Sequence, residues 1–226
     1  MFPELHQFAD DCDLRLSEME GRFNSLASRY DSHRKFAEET VERWEWTALP
    51  RHELQPFFFE LGDARRGRVM RGQPEMIAGR HQYGFSPDQS LLVERQHTEF
   101  PGRYYETFFI YGAREVTQDR YSYDGDKSPI NSTRLFRQSD TKLCFQRWST
   151  GGNAQIVYEL SQGRLIAQMS IYRRFGKGDS FGGLHALEYL PDDRIRIWAM
   201  SRSGDRKLAY EGPRVSVPHL WEFTLK

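Results

Sequence analysis

The sequence predicts an α+β protein that is mainly antiparallel β. The expected form is a hairpin meander of about 10–14 short strands, closed into a barrel or a two-sheet sandwich, with an N-terminal helical segment packed on it. Three observations predict this. Residues 164–175 alternate in character, and residues 154–160 before them read as another strand, with Ser161-Gln162-Gly163 between as a three-residue turn whose glycine is available for a positive φ. The same unit recurs loosely, with an aromatic residue, a turn-rich stretch and an aliphatic residue that starts the return strand. Its pairs are Phe85 with Leu91, Tyr111 with Val116, Phe136 with Leu143, Tyr158 with Leu165, and Tyr189 with Ile195. The start of the chain has a different period, in steps of three and four.

The helical reading covers residues 3–46. Leu5, Phe8, Cys12, Leu16, Met19, Phe23, Leu26 and Tyr30 form one apolar stripe. Pro3 suits a first helical position, and Asp10, Asp11 and Asp13 favour the N-terminal end of the helix dipole. A break is expected near Asp31-Ser32, followed by a second helix that carries Phe36, Thr40 and Trp44. Leu49-Pro50 ends this region, so the chain divides into a helical segment, 1–48, and a β meander or barrel domain, 49–226.

After Pro50 the residues 55–61, with three consecutive phenylalanines, are expected to form a short aromatic strand near an edge, because Pro56 cannot donate a ladder hydrogen bond. Residues 62–67 turn the chain and 68–71 return antiparallel. Turn-rich connections follow at Ser86-Pro87-Asp88, Asp124-Gly125-Asp126, Gln138-Ser139-Asp140, Gly151-Gly152-Asn153 and Pro191-Asp192-Asp193. The last strand, 215–225, alternates cleanly, and Pro218 places it at an edge or on a bulge.

Composition narrows the function. The formal net charge is zero, which argues against a dedicated nucleic-acid binder. Residues 1–50 carry 11 acidic and 6 basic side chains, so the remainder of the chain is basic by the same margin. Arginine outnumbers lysine 26 to 6, which reflects either base composition or recognition of anionic groups. Two cysteines make no disulfide framework, the N-terminus lacks the basic and apolar regions of a secretory signal, and no apolar run is long enough to span a membrane. A cytoplasmic protein is the simplest expectation.

No metal-binding spacing links the seven histidines, no nucleophile motif is present, and no cofactor is expected. The glycine-rich stretch 176–183 contains Lys177 but lies between strands, unlike a phosphate-binding loop. Arg120, Tyr121, Tyr123, Arg147 and Trp148 would suit base stacking, although in a chain that is 14% aromatic such neighbours arise by chance and core packing explains most of them.

Two residue sets remain as candidate sites. Arg65, Arg66, Arg68 and Arg71 form the densest basic cluster, suited to an acidic protein surface or a phosphate. In the first hairpin, if Tyr83, Phe85, Leu91 and Val93 face the core, parity puts His81, Arg95, His97 and Glu99 on the same face, with His81 opposite His97. A one-residue bulge would reverse that parity. These five residues, His81, Tyr83, Arg95, His97 and Glu99, are the expected ligand-binding set. The leading expectation for function is a non-enzymatic protein-binding module of inhibitor, immunity or adaptor type. The alternative is a calycin-like barrel that binds a small, anionic ligand.

Overall fold

The structure, a computed structural model, describes residues 16–62, 64–124, 126–175, 180–201 and 203–214. Among the described residues two helices come first, α1 (Leu16–Asn24) and α2 (Leu26–Thr40), then strand β1 (Arg43–Thr47) and a one-turn helix, α3 (Phe58–Leu61). The remaining strands are β2 (His81–Phe85), β3 (Leu91–His97), β4 (Tyr104–Tyr111), β5 (Glu115–Tyr123), β6 (Ser128–Ser139), β7 (Lys142–Ser149), β8 (Gly152–Ser161), β9 (Arg164–Arg174), β10 (Ser180–Leu190), β11 (Arg194–Met200) and β12 (Arg206–Pro213).

The strands form a single 12-stranded sheet in sequence order, each antiparallel to the next. All five aromatic–aliphatic units close hairpins. Their tight turns use left-handed residues where the sequence allows them, as at Gln162 (φ 50°), Gly163 (φ 74°), Asp192 (φ 61°) and Asp193 (φ 56°). The sheet is a meander and is not closed into a barrel, because β1 and β12 are not paired to each other. It is strongly curled. One continuous group of buried side chains draws on β2 through β11, from Tyr83 and Phe85 through Leu135, Phe145 and Tyr158 to Ile195 and Ile197, and includes Leu54 and Phe57. The segment 51–61 spans this face, with His52 against Tyr83 of β2, the Pro56 carbonyl accepting from Tyr158 of β8, and α3 touching β12. We call this the inner face.

The helices cover the outer face. Leu26, Tyr30 and Ala37 pack on Val93, Phe108 and Tyr121. Two buried carboxylates fasten the layer. Asp119 accepts hydrogen bonds from Arg22 on α1 and from Ser132 (2.6 Å). Glu106 accepts one from Tyr30 on α2 (2.6 Å) and one from Arg95 (2.7 Å). Each carboxylate is fully buried and gains charge-assisted partners, as burial requires.

Several local expectations are corrected. The break between helices falls at Ser25, whose hydroxyl donates to the Arg22 carbonyl, and not at Asp31-Ser32. Helix α2 ends at Thr40, and Trp44 and Trp46 lie on β1, because β-branched Thr40-Val41 and the alternating Trp-Glu-Trp favour extended backbone. Residues 58–61 are helical instead of strand. Phe57 sits in the left-handed region (φ 59°) and Phe57 and Phe59 are buried, so three adjacent aromatic residues meet their packing needs by a turn. The 68–71 return is reduced to one bridge, Val69 opposite Thr47. The readings placed on residues 3–15, 176–179 and 215–225 lie outside the described residues. No helix among the described residues is long and apolar enough to cross a membrane.

Candidate anion site on the inner face

Along the strands the inner face is graded. One end is apolar, built from Phe85, Leu91, Phe109, Val116, Leu135, Leu143 and Ile156. Beyond it lies a polar tier whose members follow from register. Tyr83 pairs with Glu94, Glu94 with Thr107, Thr107 with Arg120, and Arg120 with Asn131. A second row runs Gln118, Thr133, Arg147, Ala154, Tyr172. Arg120 and Arg147 are therefore in phase with core residues Val116 and Phe145 and point to the same side of the sheet.

Both guanidinium groups are half-buried and under-used. Arg120 donates through Nη2 to Gln96 Oε1 (2.5 Å) and lies over the Tyr105 ring, 5.0 Å from its centre. Arg147 donates through Nε to Thr133 Oγ1 (3.3 Å) and lies 5.4 Å from the Phe145 ring centre. Burial pushes the Arg147 guanidinium below its ordinary value, with Glu53 opposing that trend. Among the described residues neither arginine has a carboxylate within salt-bridge distance.

The segment between β1 and α3 supplies an acid. His52 packs edge-on against Tyr83 (4.8 Å between ring centres), the Arg51 amide donates to the Tyr83 hydroxyl (2.9 Å), and Leu54 is buried in the inner group. These contacts hold Glu53 over the polar tier. Burial pushes its carboxyl up to about 7, and nearby Glu94 adds to the rise, while Arg147 and Arg120 oppose it. Glu94 itself accepts from Tyr83 Oη (3.0 Å) and meets His81 Nδ1 (2.8 Å). On the neighbouring strands Gln168 Nε2 lies 3.3 Å from His185 Nδ1, and Gln168 Oε1 is a buried acceptor with no partner among the described residues. The tier thus offers two cations with spare donors and an acid poised near neutrality, while Gln168 lies further along the face, level with Tyr158. A small molecule that carries an anionic group and a hydrogen-bond donor fits this chemistry.

The hairpin set is split by the structure. His81 and Tyr83 face inward. Arg95 and His97 face outward, because a bulge between Gly84 and Phe85 makes Leu92 the extra residue and puts Glu94 opposite Tyr83. Parity on β3 is reversed, so His81 lies opposite Gln96 and not His97. Arg95 lies on the outer face with Glu106 and over the Trp44 ring (5.0 Å). His97 stacks on Trp46 (5.4 Å between centres), and burial pushes its imidazole below the ordinary value. Glu99 lies beyond the end of β3, beside Gly79.

The basic cluster lines a different feature. Arg65, Arg66 and Arg68 form part of a cleft of about 990 Å³ between the 64–70 segment and β12, together with Leu49, Phe59 and Tyr210; Arg71 is exposed just beyond it.

Sequence reasoning missed Glu53, which sits in a loop, and gave Arg120 and Arg147 only a stacking role. A signal for the arginines was present, since each shares the strand phase of a buried apolar residue. Among the described residues no group of three His, Cys, Asp or Glu side chains stands close enough to hold a metal ion. No protein family, curated protein or solved structure matches this chain.

Proposed function

We propose that the protein binds a small anionic molecule within its curled sheet, which acts as a barrel-like container. The observation that carries this reading is the pair Arg120 and Arg147, two inward-facing guanidinium groups without a salt-bridged carboxylate among the described residues, in a tier above an apolar end. Holding unpaired cations inside a protein is unfavourable unless something else uses them. A carboxylate or phosphate between them would gain charge-assisted hydrogen bonds from both sides. An apolar portion of the same molecule would lie toward Phe109, Phe145 and Ile156.

Native mass spectrometry of the purified protein tests this directly. The expected result is a retained small mass, lost in the Arg120→Leu/Arg147→Leu double variant and restored by neither single variant. If no small mass is retained, and neither phosphate nor a panel of short- and long-chain carboxylates raises the melting temperature, the reading fails.

A further inference from the structure

We propose that the cleft beside β12 is a docking site for an extended acidic segment of a partner polypeptide, which adds to the free edge of that strand. The first support is backbone. β12 has β11 on one side, and among the described residues no strand pairs with its other side. Such an edge carries a row of unpaired donors and acceptors that template strand addition. Across the cleft stands a second short extended piece, where Met70 N donates to the Trp46 carbonyl (2.8 Å) and Val69 bridges Thr47. A strand lying in the cleft would thus run between two extended backbones.

The second support is the lining. Phe59 and Tyr210 line it, with α3 touching β12, and Leu49 (44% exposed) and Val69 (45%) add apolar surface. These residues suit the alternate side chains of an added strand, which point to opposite faces.

The third support is charge. Arg65 and Arg68 are exposed at the cleft, and among the described residues neither has an acidic partner, nor does Arg71 beyond it. Arg66 is differently engaged, donating through Nε to the Arg51 carbonyl (3.0 Å). Glu211 on β12 is already held by Arg194 (2.9 Å) and Arg196 (2.6 Å), and the buried Glu60 of α3 acts on Arg66 and Tyr210, so Arg65 and Arg68 at the exposed rim keep their charge uncancelled among the described residues. The rim is therefore cationic, and the segment that fits it alternates apolar and acidic residues. This site is separate from the inner-face arginines and does not depend on them.

The test is fluorescence anisotropy with labelled peptides of roughly eight residues, the length of an ordinary strand. One alternates Glu and Val, one Lys and Val, and one is the Glu–Val peptide interrupted by two prolines. The Glu–Val peptide should bind the full chain, with affinity that falls as salt rises. The Lys–Val and proline peptides should each bind at least about tenfold more weakly, and Arg65→Ser/Arg68→Ser should weaken the Glu–Val peptide by a similar factor. Both arginines are exposed, so an unchanged melting temperature confirms that the variant is folded. Hydrogen exchange should show protection of β12 amides on binding. Equal binding of the proline peptide would reduce the contact to charge alone and overturn strand addition. Failure of the Glu–Val peptide to bind, with β12 amides already protected in the free protein, would assign the edge to another part of the chain and also overturn the proposal.

Discussion

Replacing Glu53 by Gln tests whether the polar tier is built as described, and the effect has a definite sign. Burial and Glu94 raise this carboxyl from its ordinary value of 4.5 to about 7. Between those two values the folded chain holds a proton that the unfolded chain has released. Stability therefore falls as pH rises through this window and levels off above it. At about 1.4 kcal/mol per pH unit, the full displacement corresponds to about 3 kcal/mol. Glu53 is only half-buried, so solvent screening reduces the expected effect to about 1–2 kcal/mol. Glutamine keeps the shape and cannot ionise. Urea denaturation followed by tryptophan fluorescence, at intervals from about pH 4 to pH 8, should show the native protein losing about 1–2 kcal/mol relative to Glu53→Gln as pH rises. The two curves should run parallel above about 7. A stability difference that stays constant across the whole range would refute the placement of Glu53 in a desolvated, electrostatically crowded tier.

Three other substitutions follow from the packing. Arg147→Met removes a guanidinium that burial disfavours and that has no salt-bridged carboxylate among the described residues, so the protein should keep its stability or gain up to about 1–2 kcal/mol; a loss larger than that in thermal unfolding would make Arg147 a structural residue. Asp119→Ala takes the acceptor from Arg22 and Ser132 beneath α1, and chemical denaturation should show a loss of about 3–5 kcal/mol, with a value below about 1 kcal/mol refuting the anchoring role. Gly84→Ala would place a methyl group 2.8 Å from Val93 Cγ1, 2.9 Å from Val41 Cγ2 and 3.0 Å from Trp44 Cζ3, so calorimetry should show a loss of about 1–3 kcal/mol from overpacking between β2 and its neighbours, and an unchanged melting temperature would contradict that contact set.

The meander was legible because it rests on local rules. Period-two patterning and turn chemistry act over a few residues, so Gln162-Gly163 and Pro191-Asp192-Asp193 announce their hairpins without reference to anything distant. Segments whose conformation depends on distant partners were not legible. Residues 55–61 read as strand by composition, yet Phe57 and Phe59 are buried at the inner face and against α3's neighbours, which a turn of helix achieves and an extended run of three adjacent rings does not. Trp44 and Trp46 fit a helical stripe nearly as well as a strand, and their pairing with Gly84 and Gln82 on β2 decides the matter. Glu53 enters the polar tier only because His52, Leu54 and the Arg51 amide dock on β2, which no local pattern encodes.

The bulge at Leu92 shows how one residue redistributes charge across the sheet. Without it, Arg95 and His97 would face inward beside Arg120 and Arg147, and Glu94 would face the helices. Three arginines would then share the inner face with Glu53 as their nearby acid. With it, Arg95 reaches Glu106 on the outer face, where Tyr30 completes the carboxylate's hydrogen bonds, and His97 finds Trp46. Glu94 takes the inward position and is held by His81 and Tyr83. The outer face gains a compensated ion pair under α2, and on the inner face neither Arg120 nor Arg147 gains a carboxylate within salt-bridge distance among the described residues, with Glu53 as their nearby acid. Buried guanidinium groups without a salt-bridged carboxylate are unfavourable by themselves, which is the premise of the anion proposal. The same inserted residue thus fastens the helical layer on one side of the sheet and leaves Arg120 and Arg147 as the arginines of the other side, on which the anion proposal rests.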